Sequence, residues 1–274
     1  MSLRAAATLG WRIESNWADP LVFVVYALLR PVGQALILSG MYWAVAGQGA
    51  SPERFAAFYL ANAFHEYVVR VLIGMGWVVV EEREEYETLR NVCVSPIGLP
   101  RYLAGRSLVK FALATTSVVI VLGIGWAIGV RWDFGAVRWG WLALALPLGL
   151  AATLFAGFLV AGLALMMPRA AISANEGIAI GLYLLCGVIF PVDLLPRGLQ
   201  ELSLVLPFTW WYEALRRFIL GAGASERLGT LSDGSLVLAL AVTTALLGVV
   251  SRWGFRALER SARRSGRIDQ ATLF

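Results

Sequence analysis

The chain has 274 residues, of which 59% are hydrophobic and 15% charged, and its mean hydropathy is +0.71. These values exclude an ordinary soluble domain and place it among polytopic membrane proteins. The formal net charge of +5 does not signal nucleic-acid binding, because the basic residues are scattered around apolar segments and form no single face.

The first 19 residues reach Asp19-Pro20 before sustained hydrophobicity and lack the pattern of a cleaved signal peptide, so insertion is expected to rely on the first span. Within them, Leu9, Trp11, Ile13 and Trp17 are mixed with Arg4, Arg12 and Glu14, which predicts a helix lying on the inner membrane surface. A bilayer core needs about 20 apolar residues as helix. Six segments answer to that: 21–46, 55–80, 108–130, 139–167, 170–190 and 234–250. Pro31 and Pro147 fall inside spans, where kinks are expected. Strand alternation and internal repeats do not rise above the apolar background, so a β-barrel or a single-chain inverted repeat is disfavoured. The expected fold is all-α, a single transmembrane domain over 1–274 with a cytoplasmic tail from 251.

Between the second and third spans stands Glu81-Glu82-Arg83-Glu84-Glu85-Tyr86-Glu87-Thr88-Leu89-Arg90. Such a charge density cannot lie in hydrocarbon, so the block must face water or another protein. With the N-terminus inside, the inner segments carry about twice as many Arg and Lys residues as the outer ones. The positive-inside rule then places both termini and this block in the cytoplasm. Trp126, Trp132, Trp139 and Trp141 flank the outer turn between the third and fourth spans, where an interfacial aromatic belt belongs. Cys93 and Cys186 have neither CxxC nor metal-ligand spacing, and neither a structural disulfide nor a metal site is expected.

After the fifth span the chain runs Phe190-Pro191 through Leu194-Leu195-Pro196, then Leu206-Pro207-Phe208 and Trp210 to Arg217. It is too apolar for a free loop and too broken by proline for one helix. A short helix over 197–205 dipping back toward the bilayer, followed by an amphipathic helix from Thr209, fits the pattern. Backbone of this kind is tolerated at membrane depth only where protein covers it or a cavity adjoins it.

Three features in this order resemble the permease subunit of type-2 ATP-binding-cassette (ABC) transporters: the Glu-Arg-Glu block with Thr88-Leu89 ahead of Ser95-Pro96, the Phe190-Pro191 to Leu195-Pro196 segment, and Leu206-Pro207 with Trp210 and Glu213-Ala214-Leu215-Arg216. The six-span layout extends the likeness to nearly the whole chain. The resemblance implies that Glu81, Glu82, Arg83, Glu84, Glu85, Tyr86, Glu87, Thr88, Leu89 and Arg90 form a coupling helix seated in a separate ATPase, with Pro168 and Arg169 as a second, smaller contact. It implies further a complex of two ATPase subunits with two copies of this chain, in the inner (plasma) membrane. Phe190, Pro191, Leu194, Leu195, Pro196, Pro207 and Phe208 would form an outer gate. The sequence contains no GxxxxGK[ST] phosphate loop, so ATP and magnesium are expected on the partner, and no catalysis or cofactor on this chain.

Arg30, His65, Glu66 and Arg70 fall near mid-span, where ionisable groups are costly and face protein or a wet cavity. Glu66 and Arg70, four residues apart, can pair on one helix face. A polar relay holding the helices together and a site for an anionic part of a substrate are both open readings. His65 is the only histidine and has no metal partners in the sequence. Phe58, Tyr59, Asn62, Tyr183, Leu184 and Gly187 are candidate walls of a central pathway, with helix packing as their plain alternative. The function expected is ATP-driven export of a hydrophobic or amphipathic, drug-like or lipid-like substrate. Export of a lipid-linked polysaccharide is an alternative. From a different class comes a proton-coupled secondary transporter using Glu66, Arg70 and His65.

Overall fold

The computed structural model describes residues 3–15, 20–46, 51–130 and 133–269, without the side chains of 20–24, 26–28, 30, 45, 46 and 269. Among these residues all regular structure is helical. Helices α1 (Leu3–Ser15) and α2 (Pro20–Ala46) come first. Helices α3 (Pro52–Tyr67) and α4 (Gly74–Val80) are joined by a π-helical turn, Val68–Ile73, and followed by another, Glu81–Glu85, so that helix runs unbroken over Pro52–Glu85. Then come α5 (Leu89–Val94), α6 (Leu99–Ala127), α7 (Trp139–Met166) and α8 (Ala171–Leu185). The outer segment contributes α9 (Arg197–Val205), α10 (Pro207–Leu220) and the single turn α11 (Glu226–Gly229), and α12 (Asp233–Arg264) closes the chain.

Among the described residues four helices are long and apolar enough to cross a membrane: Pro52–Glu85, α6, α7 and α12. They coincide with the second, third, fourth and sixth predicted segments, and three of them are longer than predicted by five or more residues because their polar ends stay helical. Helix α2 coincides with the first predicted segment and is 27 residues long. The fifth differs. Helix α8 stops at Leu185 after 15 residues, about 22 Å of helix, instead of continuing to Phe190. Cys186 caps it and Gly187 turns away with φ 76°, a left-handed conformation that glycine takes without steric cost. Pro31 and Pro147 lie inside continuous helices. Trp126 and Trp139 are strongly exposed, as a lipid-facing belt requires, while Trp17 and Trp132 lie outside the described residues.

Small residues set how closely the helices approach. Gly149 of α7 lies against the ring of Trp211 of α10, so closely that a Cβ there would stand 2.0 Å from Trp211 Cε2. That approach lets a fully buried indole wedge into the bundle beside Phe208, Tyr212 and Phe218. Helix α12 packs along α7, where the Ser251 hydroxyl donates to the Phe155 carbonyl at 2.7 Å. The N-terminal α1 turns Ala6 and Gly10 toward α6, where Gly105 stands against Ala6 and Arg106 against Gly10.

Candidate functional site

The charged block is not one helix. Glu81–Glu85 continues the preceding span as a π-helical turn, the chain reverses at Tyr86–Thr88, and Leu89–Val94 starts anew. Glu87 closes the reversal with φ 53°, an uncommon conformation for a residue other than glycine. Of the first three charges, Glu82 and Arg83 are buried and Glu81 partly so. Glu82 is buried and accepts from Arg106 Nη1 at 3.0 Å, and from the hydroxyls of Tyr102 and Thr88. Glu81 accepts from Arg106 Nη2 at 2.9 Å. Arg106 is itself 1% exposed, so a single cation holds both carboxylates inside the fold. One turn further along α6, Lys110 pairs with Glu14 of α1, tying the N-terminal helix to the same corner.

Arg83 points the other way. Its Nη1 and Nη2 donate to the carbonyls of Ala164 and Leu165, each at 3.1 Å. Arg267 donates to Met166 O at 2.6 Å, and Met167 N to Leu163 O at 2.9 Å. The last four carbonyls of α7, which have no partner within the helix, are thereby all satisfied, two of them by a residue of the charged block. Cations also suit the negative end of the helix dipole. Pro168, half-buried, and Arg169, exposed, form the turn that follows. The two stretches assigned to separate contacts are therefore mechanically joined through Arg83.

What the block leaves at the surface is Glu85, Tyr86, Glu87 and Arg90, with Val94 at 75% exposed, while Leu89 is buried and Glu84 and Thr88 are intermediate. Below this surface, Arg263 donates to Cys93 O at 3.1 Å and fastens α5 to the end of α12.

In mid-bundle Arg70 Nε donates to Glu66 Oε2 at 3.0 Å, as the four-residue spacing predicts. Arg70 sits in the Val68–Ile73 π turn. His65 Nδ1 lies 2.8 Å from the Tyr212 hydroxyl, and the Tyr183 ring lies tilted against the imidazole with its hydroxyl donating to Asn62 Oδ1. His65, Asn62 and Tyr183 are thus brought together with Tyr212. The Arg30 side chain lies outside the described residues. A cavity of about 760 Å³ opens beside this cluster, with Gln34, His65, Glu66, Glu176 and Tyr183 in its lining. Tyr59 is not part of it: it is fully buried against α6, its hydroxyl donating to Val121 O at 2.7 Å. Phe58 packs on Tyr42, and Leu184 is exposed on α8.

Helix α10, which supplies Tyr212 to this cluster, also carries three buried charges, Glu213, Arg216 and Arg217. Arg216 donates to the carbonyls of Ala57 at 3.0 Å, Gly187 at 2.6 Å and Val188 at 3.1 Å. It pins the end of α8 to α3. Glu213 accepts from Ala224 N and Ser225 N, and Asp193 from Ser225 Oγ and Glu226 N. Burial pushes the Glu213 carboxyl up and lowers the Arg216 guanidinium to about 10. Of the residues assigned to an outer gate, Pro207 and Phe208 are buried, Phe190, Pro191 and Leu195 intermediate, and Leu194 and Pro196 exposed. Helix α9 exposes Leu199, Leu202 and Val205, an apolar surface suited to contact with lipid.

Arg106, Tyr102 and Arg216 carry these networks, and the sequence reading assigned none of them a role. The available signal was the pair Arg106 and Lys110, two cations on one side of a helix at the start of an apolar run, where charge is costly without partners.

Residues 7–220 match the family model described as ABC-2 type transporter. No curated protein matches the chain.

Proposed function

The chain belongs to the ABC-2 type transporter family, and from that premise we propose that it is the permease subunit of an ATP-driven exporter, with ATP hydrolysed on a separate subunit. In this reading α2 and α8 join the four long helices as spans, both termini are cytoplasmic, and two permease copies assemble with two ATPases. ATP-driven closure of the ATPases moves the turn at 85–94, the spans rock, and a hydrophobic or amphipathic substrate leaves through the pair. The 760 Å³ cavity beside His65 and Glu66, apolar with a few polar groups, suits such a substrate. The segment 190–208 is assigned the outer gate.

The observation that carries this reading is the division of the charged block. Glu81, Glu82 and Arg83 are consumed in bonds to α6 and α7, those of Glu82 and Arg83 buried, and Glu85, Tyr86, Glu87 and Arg90 stand exposed on that rigid base. A surface that must pass force to the spans needs both a face open to a partner and a stiff attachment beneath it. The test is co-purification with a co-expressed ABC ATPase subunit that the wild-type chain retains, using Glu87→Lys with Arg90→Glu. Retention of the ATPase is expected to fall about tenfold, corresponding to about 1.4 kcal/mol, with helix content unchanged. Full retention and undiminished cargo-stimulated hydrolysis overturn the assignment.

A further inference from the structure

Helix α12 changes chemistry along one face. Leu238, Val242 and Val249 are each about half exposed or more, and Arg252, Arg256 and Arg260 are exposed below them. Successive steps of four, seven, three, four and four residues keep all six on one side of an α-helix. The opposite side, with Leu240, Ser251, Phe255 and Ala262, is buried. The apolar stripe that faces outward thus becomes an arginine stripe with no break in the helix and no change of direction.

The neighbouring charges do not neutralise it. Glu259 is taken by Arg263 at 2.7 Å, and Arg252, Arg256 and Arg260 have no ion pair among the described residues. Trp253, 66% exposed, stands beside the switch from apolar to basic, the depth at which tryptophan marks a bilayer interface. At 1.5 Å per residue, Arg256 lies about 6 Å and Arg260 about 12 Å beyond Arg252 along the axis. The headgroup layer is about 5 to 8 Å thick. Arg252 and Arg256 therefore fall within it, and the long Arg260 side chain can reach back to it.

We propose that Arg252, Arg256 and Arg260 form a binding site for the phosphate headgroups of anionic phospholipids. The occupant follows from continuity: the surface above is shaped for acyl chains, and the headgroup belonging to those chains meets three cations. Several basic residues directly beyond a span attract anionic lipid additively, and guanidinium binds phosphate through paired donors. The site rests on reading α12 as a span and does not depend on ATPase coupling.

The test is native mass spectrometry of the full chain in detergent, titrated with phosphatidylglycerol and phosphatidylcholine of matched acyl chains. Wild type is expected to retain phosphatidylglycerol in preference by roughly tenfold or more. Arg252→Gln with Arg256→Gln and Arg260→Gln should remove most of that preference, and Arg256→Gln alone part of it. A control triple, Arg54→Gln, Arg197→Gln and Arg227→Gln, should retain it. Raised salt should weaken it in wild type. The assignment is overturned if wild type shows no preference, if the stripe variants keep it, or if the control triple loses it equally. A stripe variant that keeps its lipid preference and sheds the ATPase subunit would assign the surface to a protein partner, again overturning the lipid site. Because lipid binding is read without the ATPase, its failure and the failure of the exporter reading are separate results.

Discussion

The guanidinium of Arg106 bridges the carboxylates of Glu81 and Glu82, at 2.9 and 3.0 Å, and so locks α6 to the end of the preceding span from inside the fold. With Lys110 and Glu14 one turn away, the contact also reaches α1. The corner of the molecule assigned to ATPase coupling is therefore built from three segments distant in sequence.

Arg106→Ala leaves two carboxylates without their cation, one of them buried. Breaking one partner of such a pair costs about 3–5 kcal/mol. Thermal unfolding in detergent should show a large loss for Arg106→Ala and a smaller one when Glu82→Gln is combined with it, because the second change removes a stranded charge. Equal losses in the single and double variants would mean that the stranded Glu82 charge is not the source of the cost.

Arg83→Ala uncaps the end of α7. Two carbonyls lose their donors, at about 1–3 kcal/mol for buried groups left unsatisfied. In the assembled transporter the proposed function predicts continued ATP hydrolysis with cargo transport reduced, since the link between the turn at 85–94 and the end of α7 is cut. Transport and hydrolysis assayed side by side in liposomes decide it, and undiminished transport rejects that link.

Arg216→Ala releases the carbonyls of Ala57, Gly187 and Val188. Cys186 is 1% exposed directly before this clamp. In a Cys93→Ala background its labelling by a maleimide should accelerate at least several-fold as the end of α8 loosens. Unchanged labelling would show that the clamp is held by other contacts.

Gly149→Ala puts a methyl group where the Trp211 ring lies 2.0 Å away. Overpacking of this kind costs about 1–3 kcal/mol. The thermal midpoint should fall, and Trp211→Leu in the same chain should recover part of the loss.

The pairing of Glu66 with Arg70 was legible from spacing alone, because four residues bring two side chains together on any α-helix. The inward turn of Glu82 and Arg83 was not. They lie in a π-helical turn, whose register departs from the α-helical period, and this leaves no periodic signal in a stretch holding five acids. Tyr59 was unreadable for a related reason: on a helix apolar all round, periodicity does not tell a wall facing a cavity from one facing α6. The early end of α8 follows from Gly187 and the carbonyls held by Arg216, a residue 29 positions away.

Composition and hydropathy by themselves determined the membrane class, the all-helical architecture and the positions of the four long apolar helices, since hydrocarbon admits only backbone that satisfies its own hydrogen bonds. The order of the charged block and the proline-bearing segments was enough for the family resemblance. The tertiary structure alone decided which charges hold the protein together and which remain at its surface. A buried charge is stable only when a partner is brought to it, and here Glu82, Arg83 and Arg216 each take a partner from a distant helix, 24, 81 and 159 residues away.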